Sequence, residues 1–362
     1  MLIKIIRNNL VDLPTNAYLN YYWCSGFMIG VFLVIQVVSG IMLSLFYVAD
    51  ENVSFSVVME DITNGLFINW LIRYSHVWGV SFIFLIFIVH MGRAVYYSSY
   101  TKVGVWNVGF ILYLLMMVEA FLGYILPWHQ MSYWAATVLT SIIQSVPYVG
   151  NFIYTHIVGG FAVTNITLVR FFALHVILAF VILGLMIVHL MYLHYNGSNN
   201  SLFSSSGYTD VVRFHSYYTS KDLFVLMCML SFFVFCMFFI PDLVLDEEGF
   251  IAGDPMVTPV TIKPEWYFLI YYAMLRSVSS KIGGLVLVII FLALLWLPSP
   301  NSSSIYAVLR QYLFWIFSGF VIMLSYLGAC PASFPYIILS QLGSGIILII
   351  IFCYKFFWIN KV

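Results

Sequence analysis

The chain has 362 residues, 63% of them hydrophobic and 8% charged, with a formal net charge of +0 at pH 7. A water-soluble protein of this size needs a more polar exterior, so the composition points to an integral membrane protein. Zero net charge gives no pull toward nucleic acid. The five cysteines (Cys24, Cys228, Cys236, Cys330 and Cys353) are scattered, with neither a Cys-x-x-Cys-His motif nor the density of a disulfide framework.

Met1–Leu10 is a short basic amphipathic stretch followed by Asp12 and Pro14, which does not read as a cleavable signal. Eight apolar spans follow, roughly 24–47, 69–97, 107–126, 167–194, 221–240, 283–298, 309–329 and 335–358. Two long connections, Leu126–Ile166 and Pro241–Glu265, are aromatic and Pro/Gly-containing rather than linker-like, and are expected to form short interfacial helices. The polar stretch Asn196–Tyr218 separates a four-span block, residues 1–200, from a second four-span block, residues 201–362. The expected fold class is therefore an all-α integral membrane protein with eight transmembrane helices.

An even number of spans puts both termini on one side. That side would carry Lys4, Arg7, Arg93, Lys102, Arg213, Lys221, Arg310, Lys355 and Lys361 against three acids. The far side would hold five bases against ten acids, including Asp50, Glu51, Glu60, Asp61 and the Asp246–Glu248 run. By the positive-inside rule the termini face the mitochondrial matrix or a bacterial cytoplasm.

The most informative pattern is a pair of pairs. His76/His90 and His175/His189 share a fourteen-residue gap, each pair within one apolar span. Fourteen residues advance a helix by about 21 Å and bring it round to nearly the same face. Two such helices side by side would stack two His/His pairs across a bilayer, the ligand set of two six-coordinate haems. A single intramembrane histidine is often just a hydrogen-bonding group between helices, and the duplicated spacing is what shifts the reading to a ligand. Gly26/Gly40 and Gly109/Gly123 repeat the gap on two further spans, and a bare backbone admits a flat macrocycle. Bis-histidine ligation closes an iron to dioxygen and implies electron transfer. Arg73, Arg93 and Arg170 lie three to five residues from His76, His90 and His175. They are read as partners of haem propionates in preference to side chains snorkelling to the interface.

Beyond this pattern the chain resembles mitochondrial cytochrome b over nearly its whole length. The resemblance rests on Arg73-Tyr74-Ser75-His76, Gly123-Tyr124-Ile125-Leu126-Pro127-Trp128 and Arg170-Phe171-Phe172-Ala173-Leu174-His175. It continues through Gly197-Ser198-Asn199-Asn200, Tyr217-Tyr218-Thr219-Ser220-Lys221-Asp222 and Pro264-Glu265-Trp266-Tyr267. A plastid-type split form is disfavoured because both halves are fused.

The resemblance implies an N-terminal dihaem bundle with two non-covalent haem b groups. His76 and His175 would ligate the low-potential haem near the outer face, His90 and His189 the high-potential haem near the matrix. It implies an outer quinol-oxidising site with Glu265, Tyr267, Tyr272 and Tyr124 in catalytic roles, flanked by Pro264, Trp266, His129 and Ala135. His194, Ser198, Lys221 and Asp222 would form a matrix-side quinone site, with ubiquinone and ubiquinol as substrates. It further implies a dimeric ubiquinol–cytochrome c oxidoreductase in the mitochondrial inner membrane, in contact with lipid. A Rieske iron–sulfur protein and a c-type cytochrome would be partners, since the scattered cysteines offer no cluster site. Without the resemblance, Glu265 would read as an interfacial carboxylate, and Lys221/Asp222 as a solvated helix start.

Several positions depart from the family. Pro127-Trp128-His129-Gln130 replaces Pro-Trp-Gly-Gln; His129 would either add a proton acceptor or be a compensated structural change, and the second is preferred. Ala135 stands where relatives usually carry glycine, an exchange that in this family narrows the outer site against strobilurin-type inhibitors. Ala179 replaces a proline one turn after His175, so that helix is expected to be straighter. Cys24 and Phe27 replace polar residues at the matrix-side site, which puts quinone contacts and antimycin-type sensitivity there in doubt. Glu119, an acid inside an apolar span one turn before Gly123, is expected to join a proton path or to tune the nearby haem.

Two other classes compete. A transporter would show inverted repeats and interrupted helices, and neither is evident in the sequence. A dihaem anchor subunit of a membrane dehydrogenase would lack Pro264-Glu265-Trp266-Tyr267.

Overall fold

The computed structural model describes residues 4, 7–201, 210–297 and 307–356. The chain is all but entirely helical, as a membrane demands, because a helix satisfies its own backbone hydrogen bonds without water. In chain order the helices are α1 Tyr21–Ser44, α2 Phe67–Tyr96, α3 Val103–Ile125, α4 Gln130–Gln144, α5 Gly150–Val158 and α6 Asn165–Asn196. The second half adds α7 Phe214–Phe239, α8 Leu269–Ser277, α9 Lys281–Trp296, α10 Val308–Ala329 and α11 Tyr336–Phe356.

Seven of these (α1, α2, α3, α6, α7, α10 and α11) are long and apolar enough to cross a membrane, and the chain is a multi-pass membrane protein. The remaining expected span, 283–298, corresponds to α9, which is apolar but has 16 residues. At 1.5 Å per residue it is about 24 Å long, short of a hydrocarbon core of about 30 Å. Residues 298–306, which follow it, lie outside the described residues, as do Lys361 and the end of the last span.

Both long connections contain short helices, α4 and α5 in the first and two 3-10 turns, Pro241–Val244 and Glu247–Phe250, in the second. The polar stretch after α6 contains β2 (Val211–Arg213), which pairs antiparallel with β1 (Pro14–Asn16), a two-stranded clasp absent from an all-α reading. It tethers the N-terminal segment to the start of α7. Within α7, His215 and Ser216 are non-helical and kink its first turn.

Packing follows the sequence marks. α1 lies along α2 and α3 along α6, so each glycine-marked helix takes a histidine-marked helix as its main neighbour. The core between them is aromatic, with Phe32 stacked on Phe82 at 5.1 Å and Phe233 of α7 edge-on to both rings at 5.3 Å. α7 thus packs its inner face into the first block's core. A second core joins α8, α9, α10 and α11 around Met274, Phe291, Leu324 and Ile347.

Local chemistry sets the helix ends. α6 opens with a reciprocal capping box between Thr164 and Thr167, and runs unbroken through Ala179 to Asn196. α5 ends at Gly159, whose φ of +81° suits glycine, and an added Cβ there would strike Ile166 and Arg170. α6 leaves many of its apolar side chains exposed in the single chain, Ile177, Phe180 and Ile187 among them.

Candidate functional site

The four histidines meet in two tiers. In the first tier His76 of α2 and His175 of α6 face each other with ring centroids 6.3 Å apart and planes at 82°. Two iron–nitrogen bonds of about 2 Å, each extended by roughly 1.1 Å to a ring centre, span about 6.3 Å. The gap is that of one iron held between two imidazoles. In the second tier His90, His189 and Arg93 are near enough to interact electrostatically. Among the described residues no three metal-ligating side chains converge, and each tier brings two histidines together.

Hydrogen bonds decide which ring nitrogen is free. Ser39 Oγ lies 2.9 Å from His76 Nδ1 and donates its own proton to the Ile35 carbonyl at 2.7 Å. A hydroxyl has one proton, so Ser39 accepts from Nδ1–H. Ser25 repeats this, 3.0 Å from His90 Nδ1 while donating to the Tyr22 carbonyl at 2.7 Å. His175 Nδ1 faces the Glu119 carbonyl oxygen, an acceptor only, at 3.1 Å. For His76 and His175 the proton therefore sits on Nδ1 and the Nε2 lone pair is left for a metal; at His90 the guanidinium of Arg93, which only donates, also lies 3.3 Å from Nδ1. Ser25 and Ser39 were not singled out from the sequence, yet Ser25-Gly26 and Ser39-Gly40 repeat one dipeptide at the same fourteen-residue gap.

The four glycines face the histidine rings. A Cβ at Gly26 or Gly40 would lie 3.2 Å from Cε1 of His90 or His76. At Gly109 and Gly123 the distances to His189 and His175 Cε1 are 2.9 and 2.7 Å. The space they clear lies over the imidazoles, so glycine lets the paired helices close on the ligands.

The arginines divide. Arg93 Nε is buried without a hydrogen-bond partner among the described residues, while Nη2 lies 3.3 Å from His90 Nδ1 and the guanidinium sits 5.1 Å from the Trp23 ring. A buried cation so placed suits an anionic group entering with a cofactor. Arg73 is buried, bonds Thr63 and lines the outer pocket. Arg170 is exposed and donates to the His156 carbonyl at the end of α5, away from the tiers.

The outer pocket is small and lined by Arg73, Tyr124, His129, Leu245, Asp246, Gly249, Phe250 and Glu265. The turn after α3 is stitched to the second long connection: Gln130 N–H donates to the Ile251 carbonyl at 2.9 Å, and Gly253 N–H to Trp128 at 3.0 Å. Trp128 itself has φ 54°, the left-handed turn that reverses the chain into α4. This stitching sets His129 beside Glu265. Burial, and then the neighbouring Asp246 carboxylate, push Glu265 up to about 7, with Lys263 pulling the other way. Lys263 is itself paired with Asp246 at 2.9 Å.

His129 Nδ1 accepts the Ser132 N–H at 3.1 Å and so caps α4. Burial, then Arg73, hold this imidazole down at about 3, neutral at working pH. Tyr267 stacks face to face on Phe84 at 4.0 Å, and burial followed by Glu265 and Tyr124 pushes its phenol well above the usual range. Trp266 turns to Ser81 Oγ at 3.3 Å, and Tyr272 donates to the Ile262 carbonyl at 2.7 Å beneath Arg276. Pro264 adjoins Glu265 in the chain. Ala135, on the second turn of α4, is not among the pocket's lining residues.

At the opposite end the N-terminal segment links the other candidates. Lys221 Nζ donates to the Leu19 carbonyl at 3.0 Å, and Asp222 approaches the Cys24 thiol. The Ser198 carbonyl accepts from Asn16 at 3.2 Å, and His194 is half-buried on the last turns of α6. Lys221 and Asp222 thus share one flank of the segment 16–24, and Ser198 another.

Two tiers of paired histidines inside apolar helices, with polar clusters toward either end of the bundle, fit a haem-binding membrane protein. The chain belongs to the cytochrome b family: residues 10–197 match the family model Cytochrome b/b6/petB, and residues 252–348 match Cytochrome b(C-terminal)/b6/petD. A chain of a solved structure titled "Hyperthermophilic respiratory Complex III" superposes with a TM-score of 0.91 at 29% identity, covering 99% of this chain and 97% of that one. Family membership implies haem b, and the tiers fit it.

Proposed function

We propose that this chain is the haem- and quinone-carrying subunit of a ubiquinol–cytochrome c oxidoreductase, catalytic only within that assembly. The observation that carries the proposal is the 6.3 Å gap between His76 and His175, with both Nε2 lone pairs left free. His76 and His175 hold the outer, low-potential haem, His90 and His189 the matrix-side, high-potential one. Gly26, Gly40, Gly109 and Gly123 let the helices close on these ligands, and Arg93 and Arg73 receive propionates. When bound, the two haems carry electrons singly between the two faces of the membrane.

At the outer pocket a quinol gives up two protons and two electrons. Glu265 accepts one proton as a general base, its carboxyl raised near the working pH by burial. Tyr124 and His129 line the pocket with Glu265; Tyr267, Tyr272, Pro264 and Trp266 complete the quinol site around it, and Ala135 stands behind that lining on α4. One electron leaves with the second proton to a Rieske iron–sulfur protein, and passes on to a c-type cytochrome; the other crosses toward the matrix, where two such turnovers supply the two electrons that reduce one quinone. There Lys221 and Asp222 deliver protons to quinone, with His194 and Ser198 as head-group contacts. The cycle moves protons across the membrane.

The likeness to a respiratory Complex III supports a multi-subunit, dimeric assembly, and the charge asymmetry supports both termini on the matrix side of the mitochondrial inner membrane. Counting α9 gives eight spans, in blocks 1–200 and 201–362. The test is a reduced-minus-oxidised visible spectrum of the purified complex, titrated potentiometrically, with haem counted per polypeptide. Two low-spin b haems of distinct potential are expected; one or none overturns the proposal.

A further inference from the structure

The two tiers are built alike on one side and differently on the other. On α1, Ser25 and Ser39 serve His90 and His76 in the same way. On α3, the equivalent positions lie four residues before Gly109 and Gly123, and they hold Val105 and Glu119. His189 faces the backbone of Val105, with an apolar side chain beside it. His175 instead meets both the Glu119 carbonyl oxygen at 3.1 Å and the Glu119 side chain, whose Oε1 lies 2.9 Å from Nδ1. Glu119 is 9% exposed, and its Oε2 has no hydrogen-bond partner among the described residues.

A carboxylate buried in an apolar helix is expensive unless it is paired. The group it faces is the Nδ1–H of a ligand histidine. A carboxylate in that position fixes the ring's tautomer and orientation and raises the ligand's basicity. It also places negative charge beside a centre that is more positive when oxidised, which favours the oxidised form. Val105 can do neither for the second tier.

We infer that Glu119 is a positioning residue for His175 that lowers the potential of the outer tier alone, widening the difference between the two centres. This rests on the haem reading of the tiers. It assigns to tuning a buried acid in the middle of the apolar helix α3.

The test is a redox titration of both b haems in the intact complex carrying Glu119→Gln, which keeps an acceptor of the same shape and removes the charge. The lower of the two midpoints is expected to rise by a tenfold change in the oxidised-to-reduced ratio, about 59 mV for one electron. The upper midpoint stays where it was. If Gln does not assemble, Glu119→Asp keeps the charge but withdraws it from Nδ1, and the same one-sided rise is expected. Two unshifted midpoints with a full haem complement overturn the role of Glu119 and leave the haem reading intact. A wild-type complex without two b haems overturns the haem reading itself.

Discussion

Gly123 of α3 lies directly beneath the imidazole of His175, so that a Cβ added there would stand 2.7 Å from Cε1. That is closer than carbon atoms tolerate, and the ring cannot retreat because Nδ1 is held by Glu119. Gly123→Ala is therefore expected to push His175 out of line and to cost about 1–3 kcal/mol in overpacking. The outer haem should be lost or become high-spin. Gly40→Ala, with 3.2 Å to His76 Cε1, should be milder. Haem content per polypeptide, with the visible spectrum of each variant, checks the ranking; equal behaviour of the two would refute it.

Glu265 is the second test. Its carboxyl is raised to about 7 by burial and then by Asp246. The base must be deprotonated to act, so quinol oxidation should rise with pH through that value. Glu265→Gln should lower turnover by about 10²-fold or more and flatten this acid limb. Asp246→Asn removes a like charge and frees Lys263, and both changes favour the ionised form. The acid limb should then move to lower pH. A limb that stays in place in Asp246→Asn would disconnect it from Glu265.

His129 tests the opposite expectation. Its Nδ1 caps α4, and the ring is held neutral with its value at about 3. His129→Gly should lower stability by up to about 1 kcal/mol through loss of the side-chain cap, and His129→Asn should retain most of it. Neither should remove the acid limb of quinol oxidation, since no proton leaves or joins this ring near neutral pH. Thermal denaturation and a pH–rate profile of both variants check this.

Much of this site is legible in the sequence because it is built from periodicity. A fourteen-residue gap is a property of the helix itself, so His76/His90, His175/His189 and the four glycines declare their depth before any packing is known. Ser25 and Ser39 carry the same signal, though each looks like an ordinary small residue in a membrane helix. Asp246 is different. It sits in the acidic run Asp246–Glu248, which reads as solvated loop charge, and only the stitching of Trp128–Gln130 to Ile251–Gly253 brings it to Glu265. Arg170 shows the same limit: five residues from His175 in sequence, it donates to the His156 carbonyl at the end of α5, a partner that its spacing does not announce. The helical segments follow from composition, whereas side-chain partners across loops depend on a fold that no local spacing encodes. The length of α9 is a case between, apolar throughout but only 16 residues long.

Ala135 gives a prediction that depends on shape alone. It lies on α4, one residue before the fully buried Ala136 and three after Ser132, whose N–H is held by His129. The backbone on this turn is therefore fixed, and the extra methyl cannot be relieved by moving the helix. The family resemblance implies that glycine at this position would leave room for a strobilurin-type inhibitor. The wild-type complex should accordingly be weakly inhibited by a strobilurin, and Ala135→Gly should increase sensitivity at least tenfold, about 1.4 kcal/mol of binding. Turnover with ubiquinol should change little, because Ala135 does not line the pocket that holds Glu265. Titrating quinol oxidation with inhibitor in both complexes decides it: strong inhibition of the wild type would show that the methyl leaves the site open.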